Sequence, residues 1–312
     1  MATETQATER SGDRLDHGSV AGEVVRAYLS DWAGILTALD VAVRRDEPDA
    51  VHQMRVAARR LRATLQSFPA IWPPSATGRL KDDLRWLGRV LGDARDIEVL
   101  GEYFRDGMED LPRELVLGPA KARVTLNFAP QDAEAREAVI QVLDSPRYLA
   151  MLDELAGLLA TPPQTPAARA PGADVLPDAV AHAYRRARRR MRRAFRTPSG
   201  PRRDVALHQA RKAVKRARYA AEATVPACGK NARRFAKRMK AVQKVLGDHH
   251  DVVTARAAAR DIGVRAHLAG ENAFSFGLLH ERAYREALEY EDQARHAWKR
   301  AKRPKSVSWL RT

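Results

Sequence analysis

The chain has 312 residues and a formal net charge of +16, from 55 basic and 39 acidic residues. Its hydrophobic content of 45% predicts a folded protein, and its single cysteine excludes an internal disulfide and a cysteine-based metal site. No segment approaches the roughly 18 consecutive apolar residues of a membrane-spanning helix, and the polar N-terminus lacks the apolar region of a signal peptide. We therefore expect a cytoplasmic protein.

The predicted elements of the N-terminal part are helices separated by prolines. A polar tail over residues 1–17 is expected to be disordered. Residues 112–132 contain three prolines and predict irregular structure or a short helix, and Pro146 predicts a kink or break further on. The predicted helices of this part cover about residues 18–45, 49–68, 78–103 and 132–159.

A stretch with five prolines, residues 161–177, predicts a linker at the middle of the chain. No segment shows the period-2 pattern of a strand. The sequence thus predicts an all-α protein with a first half (residues 18–160), a second half (residues 178–302) and a frayed basic tail (residues 303–312). The predicted helices beyond the linker cover about residues 178–196, 204–224, 230–262 and 272–302.

The two halves share a sequence pattern. Residues 51–62 (VHQMRVAARRLR) match residues 207–218 (LHQARKAVKRAR) at an offset of 156 residues. Residues 90–96 (VLGDARD) match residues 245–251 (VLGDHHD) at an offset of 155 residues. Matches in the same order at nearly one offset indicate an internal duplication with pseudo-twofold organisation.

Basic stripes run along these helices, each beside an apolar stripe. At about 100° per residue, His52 and three arginines after it fall within about 80° of one another, and the second half repeats the spacing. The spacing occurs a third time in the helix over 178–196, but the first helix of the chain lacks it. We expect these stripes to lie off the packed face, on a surface weighted towards the second half. Their basic residues are His52, Arg55, Arg59 and Arg62; His208, Arg211, Lys215 and Arg218; and His182, Arg185, Arg189 and Arg192.

Two further stripes lie on the helices that carry the LGD motifs. Gly88, Gly92 and Gly247 fall within them, where a missing side chain lets a ligand or another helix approach closely. The basic residues of these stripes are Lys81, Arg85, Arg89 and Arg95 in the first half and Lys237, Lys240, Lys244 and His250 in the second.

This charge pattern predicts a polyanionic partner. Residues 178–244 hold 22 lysines and arginines against three acids, a net of +19, so the rest of the chain carries a net charge of −3. Like charges three and four residues apart weaken a helix, so such stripes need a compensating anion. Arginine binds two phosphate oxygens at once, and lysine supplies a compact charge. The alternative is that the stripes are ordinary solvated faces without function. The repetition of the stripe in both halves disfavours this alternative.

The paired helices, each followed by an LGD helix, resemble the CHAD domain, the conserved histidine α-helical domain. The segments that carry the resemblance are residues 51–68, 87–100, 143–155, 207–222 and 245–256. The resemblance implies two pseudo-symmetric four-helix bundles with a basic groove or cavity between them. It also implies binding of inorganic polyphosphate, association with polyphosphate granules, and as ligands the stripe residues of 52–62 and 208–218.

The sequence leaves three other functions to consider. His249, His250 and Asp251 suggest a metal-dependent phosphohydrolase, but the two histidines point apart on a helix and His249 falls on its apolar face. Nucleic acid would bind the same charges, yet few aromatic residues accompany them, so we expect it only as a non-specific competitor. A membrane surface is disfavoured because the apolar stripes suit packing. Some CHAD proteins carry a triphosphatase domain, for which this chain has no room. We expect no catalytic residue, metal or other cofactor.

Overall fold

The computed structural model describes residues 15–310 and confirms an all-α fold there. Helices form because long stretches place apolar side chains on one face and polar side chains on the other. The first half contains α1 (Ala21–Arg44), α2 (Ala50–Ser67), α3 (Pro74–Asp110), a 3-10 turn (Arg113–Leu115), α4 (Ala120–Leu143) and α5 (Pro146–Ala160). The rest contains α6 (Pro166–Arg169), α7 (Gly172–Arg196), α8 (Pro201–Ala223), α9 (Val225–Leu268), α10 (Phe274–Ala301) and α11 (Pro304–Val307). None of these helices is long and apolar enough to cross a membrane.

Two helices of the first half extend beyond their predicted bounds. α3 runs on to Asp110, and the 24-residue α4 occupies much of the region over 112–132, for which irregular structure or a short helix was predicted. Pro130 is tolerated inside α4 because it is exposed, so water can satisfy the carbonyl that loses its helical partner. The break at Pro146 is confirmed, and the Ser145 hydroxyl caps α5 by accepting from the Tyr148 backbone N–H at 3.2 Å.

The predicted linker is shorter than expected and is packed against α1. α7 already begins at Gly172, within the stretch over 161–177. The Gly172 N–H donates to the Ser19 carbonyl and the Ala21 N–H to the Ala170 carbonyl, both at 2.9 Å. A side chain at Gly22 would lie 3.0 Å from the Ala168 carbonyl oxygen, so glycine permits this approach. The halves are therefore joined by a structured crossing.

The termini of the described chain also pack. The Trp309 ring lies 6.0 Å from that of Phe235, and Leu310 is buried, so the predicted frayed tail is ordered as far as residue 310. The disordered tail predicted over 1–17 lies outside the described residues up to residue 14, and residues 311–312 lie outside them too. The His17 ring contacts the Ala227 carbonyl near Gly229, where a positive φ of 58° kinks α9.

One continuous apolar core joins the two halves. Leu29 and Leu61 of the first half belong to the same buried cluster as Val180 and Val214 of the second. A smaller cluster, which includes Phe104 and Ile262, closes the distal ends of α3, α4, α9 and α10. Because the halves share a core, their basic stripes are held in a fixed relation to each other.

The contacts between α2 and α8 at this junction are reciprocal. Arg216 on α8 donates to the Gln66 Oε1 on α2 at 2.8 Å. The residues 156 positions away from these two, Arg60 and Glu222, form the matching pair, an ion pair between α2 and α8. Each half thus supplies the arginine of one pair and its partner in the other. Such a reciprocal contact is the pattern of a twofold interface.

Candidate polyanion-binding site

Six basic side chains from both halves converge where α2, α8 and α9 meet. They were predicted on three separate stripes, and the structure brings them together at the junction. Burial, and then the charges of Arg59, Arg211 and Arg55, lower the pKa of Lys215. The pKa of Arg211 is lowered in the same way, by burial and then by Arg59 and Arg55. We call this set the central cluster: Arg55 and Arg59 from α2, His208, Arg211 and Lys215 from α8, and His250 from α9.

A buried ionic network forms the floor beneath the central cluster. Arg60 is 4% exposed, and its guanidinium lies 4.2 Å from the ring centroid of Trp32 and 4.6 Å from that of Tyr219. It also donates to the Tyr28 hydroxyl at 2.7 Å and pairs with Glu222. Arg59 reaches this floor from the central cluster, since its Nε donates to the Tyr219 hydroxyl at 3.3 Å.

Arg218 belongs to this floor rather than to an open stripe. It is 5% exposed, and its Nε lies 2.6 Å from Glu222 Oε1. The expectation that it lies off the packed face is therefore wrong. The reason is its position near the crossing of α2 and α8, where every side of the helix is covered. Its counterpart Arg62 remains half-buried, with Arg85 and Arg216 as charged neighbours.

The glycines of the LGD helices seat two arginines of the central cluster. A side chain at Gly92 would lie 3.4 Å from Arg55 Nη2, so the guanidinium of Arg55 rests against the α3 backbone. Gly247 takes the same place beneath Arg211, where an added side chain would lie 3.7 Å from Nε. The close approach that was predicted for a ligand or a helix is thus made by the arginines.

Carboxylates orient the arginines without cancelling the charge. Asp96 accepts from Arg55 Nη1 at 2.9 Å. In the second half, Asp251 faces Arg211, and burial outweighs that attraction and raises the pKa of Asp251. Burial likewise raises the pKa of Asp248, which Arg211 opposes. Four basic side chains, three arginines and one lysine, therefore meet three carboxylates, two of which are disfavoured in their charged form.

The histidines of the central cluster are held neutral by their surroundings. The rings of His208 and His250 lie 4.3 Å apart. Burial, and then Lys212, Arg211 and Lys215, lower the pKa of His208 to about 4. Burial, and then Arg211 and His208, lower that of His250 to about 4. Asp96 on α3 opposes both shifts but does not outweigh them.

The same imidazole atom is buried without a partner in each half. The Nδ1 atoms of His52 and His208 have no hydrogen-bond partner in the part of the chain that the structure describes. Burial, and then Arg95, Arg59 and Arg55, lower the pKa of His52, while Asp49 opposes the shift. An anion placed among these residues would both accept from such an imidazole and favour its protonation.

The other predicted basic residues are less closely grouped. Arg85 and Arg95 are partly neutralised, since they pair at 2.8 Å with Asp82 and Glu98 respectively. No contact or charge interaction in the described structure joins the predicted residues of α7 to the central cluster. These exposed α7 residues are His182, Arg185, Arg189 and Arg192. Five predicted residues of the LGD helices lie outside the central cluster as well. Lys81 is half-buried, and the exposed ones are Arg89, Lys237, Lys240 and Lys244.

The two adjacent histidines of α9 point apart, as predicted. His249 is 2% exposed, and its Nε2 lies 3.5 Å from Asp204 Oδ1. Glu291 approaches the same point, so three groups of metal-ligating type lie together there. Arg256 pairs with Asp204 at 2.9 Å and Arg203 pairs with Glu291, so guanidinium groups already occupy both carboxylates. The arrangement is an ion-pair network that fastens the start of α8 to α9 and α10.

Sequence reasoning missed the acids that organise these networks. Asp204 and Glu222 are two of the three acidic residues within the strongly basic stretch over 178–244. Glu222 neutralises the buried Arg60, and Asp204 neutralises the half-buried Arg256. Their scarcity was the available signal, because an isolated acid among many bases is expected to have a buried charge to balance.

The lowered histidine pKa values predict acid sensitivity of the free protein. Between an ordinary imidazole pKa of 6.5 and the value of about 4 in the fold, the unfolded chain binds more protons at His208 and His250. The free energy of unfolding should therefore fall as the pH drops through this window. Between about pH 7 and about pH 5, the melting temperature of the double variant His208→Gln/His250→Gln should therefore fall less than that of the parent.

Thermal unfolding at the two pH values measures this, with exposed His267→Gln as the control. An equal loss of melting temperature in the parent and the double variant would contradict the account of these two residues.

Comparisons with known proteins agree with this architecture. The CHAD domain family profile matches residues 24–260. The uncharacterized proteins MT2285 and Rv2226 of Mycobacterium tuberculosis (strains CDC 1551 / Oshkosh and ATCC 25618 / H37Rv) are each 34% identical over 260 residues. The aligned residues cover 82% of this chain and 49% of each relative, so the chain spans about half the length of these relatives.

Two solved structures share the fold. PptA from Streptomyces chartreusis matches with a TM-score of 0.74 and 22% identity, over 90% of this chain and 100% of that one. The CHAD domain from the plant Ricinus communis matches with a TM-score of 0.62 and 24% identity, over 96% of this chain and 93% of that one. The stripes, the junction and the family match lead to one conclusion: the chain belongs to the CHAD domain family.

Proposed function

We propose that the protein binds inorganic polyphosphate at the central cluster without cleaving it, and that this binding recruits it to polyphosphate granules. The observation that carries the proposal is the crowding of four basic side chains from both halves: Arg55 and Arg59 face Arg211 and Lys215. Burial and the neighbouring arginines disfavour the charged forms of Arg211 and Lys215, so an anion that enters among them relieves both costs. A chain of phosphates supplies many such anions on one molecule.

The chemistry around the central cluster favours polyphosphate over nucleic acid. Tyr219 and Trp32, two aromatic residues of its floor, are 1% and 7% exposed and lie beneath arginines. They are therefore unable to serve as platforms for stacked bases, which single-stranded nucleic acids commonly need. Recognition would rest on phosphate oxygens alone, and polyphosphate presents these without intervening sugars and bases.

The non-catalytic part of the proposal rests on how the candidate catalytic groups are used. His249 lies beside Asp204 on a different side of α9 from His250, and the two acids near it, Asp204 and Glu291, pair with arginines. The ring of His250 lies 4.3 Å from that of His208, tilted by 45°, among neighbouring cations. Asp251 lies near Arg211, which it can orient towards a phosphate. These roles suit holding an anion and leave no assembled base and nucleophile.

Competition between polyanions tests the ligand class. Labelled long-chain polyphosphate is bound to the protein at physiological salt, and unlabelled polyphosphate, single-stranded DNA or duplex DNA is added at matched phosphate concentration. We expect polyphosphate to displace the label at a lower concentration than either DNA, and affinity to fall steeply as salt rises. Equal or better displacement by DNA would refute the assignment.

The absence of turnover is tested by phosphate release. Purified protein incubated with polyphosphate and Mg²⁺, Mn²⁺ or Zn²⁺ should yield no more orthophosphate than the buffer alone. Metal-dependent release that disappears in His250→Ala or Asp251→Ala would establish a phosphohydrolase and overturn the non-catalytic proposal.

A further inference from the structure

α7 presents a face of arginines that the central cluster does not use. The opposite side of the helix, with Tyr184, Ala187 and Met191, is buried in the core. Among the described residues, none of the arginines on the outer face has an ion-pair partner. We call these exposed residues the α7 arginine face: Arg185, Arg186, Arg188, Arg189, Arg192, Arg193 and Arg196.

Several exposed arginines on other helices have acidic partners. On α10, Arg282 pairs with Glu286 and Arg285 with Glu281, each at 3.0 Å and four residues apart. On α1, Arg44 pairs with Asp40 at 2.6 Å. Such pairs stabilise a helix slightly, whereas like charges at the same spacing destabilise it. The α7 arginine face carries the repulsion without the pairs, so its charge is directed at an external anion.

A line of cations connects α7 to the junction of the halves. Burial, and then the charge of Arg186 on α7, lower the pKa of Arg216 on α8. Arg216 in turn is a charged neighbour of Arg62 on α2, which also faces Arg85 on α3. The line therefore passes from α7 across α8 to α2 and α3.

The two halves differ at one position in a way that leaves this line charged. Arg60, the counterpart of Arg216, is neutralised by Glu222. At the position of Glu222, the first half has Gln66, which accepts a hydrogen bond from Arg216 but carries no charge. The charge of the half-buried Arg216 is thus not neutralised by this contact, whereas that of Arg60 is neutralised in the core.

We propose that the α7 arginine face is a second binding segment for the same polyphosphate chain, which makes affinity depend on chain length. This inference rests on the proposed function of the central cluster. From Arg185 to Arg196 the face extends about 16 Å along the helix. A short polyphosphate fills the central cluster alone, and a long one continues along the cations to α7. Binding of the second segment is then intramolecular, so it adds affinity through effective concentration.

The composition of the face favours polyphosphate over other anions. Phe195, the aromatic residue within it, is half-buried beneath the guanidinium of Arg295, 4.6 Å from the ring centroid. The face therefore offers no aromatic platform for bases and no apolar side chain to enter a bilayer.

The test compares tripolyphosphate with long-chain polyphosphate on one variant. Arg185→Gln/Arg189→Gln/Arg192→Gln removes three charges from the face and leaves the central cluster intact. We expect its tripolyphosphate affinity to stay within about twofold of the parent, and its long-chain affinity to fall on the order of tenfold or more. The matched control removes three exposed charges elsewhere, as Arg260→Gln/Arg265→Gln/Arg285→Gln, and should keep the parent's ratio of the two affinities.

Several outcomes would overturn the inference. A loss of long-chain affinity equal to that of the control variant would mean that only the general field of the protein matters. An equal loss for both polyphosphates, or for neither, would remove the chain-length role of α7. Loss of binding to DNA or to anionic phosphatidylserine vesicles, with both polyphosphate affinities unchanged, would assign the face to that partner instead. Failure of the parent to bind either polyphosphate would refute the proposed function itself.

Discussion

The buried ion pair between Arg60 and Glu222 is the contact on which the rest of the junction depends. It joins α2 to α8 in the core, and Arg218 and the Tyr219 ring complete its surroundings. Burying charges is costly, and a buried guanidinium without its carboxylate would cost several kcal/mol. Because Glu222 meets two arginines, the network fixes the angle and register of the two helices. That register in turn places the cations of the central cluster opposite one another.

In the central cluster, like charges are consequently held close together although they repel one another. Lys215 and Arg211 both have their pKa lowered by burial and by neighbouring cations, which means that the fold opposes their charge. A polyanion reverses this opposition, since it supplies the missing charge and raises those pKa values. Ligand binding and stability are thus linked, and the bound protein should be the more stable form. The apolar core shared by the halves provides the energy that keeps the empty cluster assembled.

Much of the fold could be predicted from the sequence, because helical periodicity is a local property of the chain. The breaks at Pro48 and Pro146, the basic stripes, and the opposite orientations of His249 and His250 all followed from counting positions along a helix. The length of α3 and the early start of α7 did not follow, because both depend on tertiary packing. The end of α3 packs through Phe104 and Met108 into the smaller buried cluster, and α7 continues through Pro177, which is buried in the core. The resemblance to the CHAD domain was confirmed by the family match.

Which basic residues face a ligand was only partly predictable. Arg55 and Arg211 reach the junction as expected, but Arg218 occupies the same stripe as Arg211 and is buried. Burial of a stripe residue depends on where two helices cross, and that crossing joins residues about 160 positions apart in the chain. Neither helical periodicity nor a count of charges can predict a contact between residues so far apart in the chain. The isolated Glu222 was the local sign that some arginines face inwards.

The central claim is that the central cluster reduces the stability of the empty protein and holds the polyanion. Lys215→Met tests both parts in one molecule, since it removes a crowded charge and keeps a side chain of similar length. The measurement is the melting temperature without ligand, together with calorimetric titration of long-chain polyphosphate, with exposed Lys299→Met as the control. The account predicts an unchanged or higher melting temperature and clearly weaker binding than in the control. A much lower melting temperature, or binding as tight as that of the parent, would contradict it.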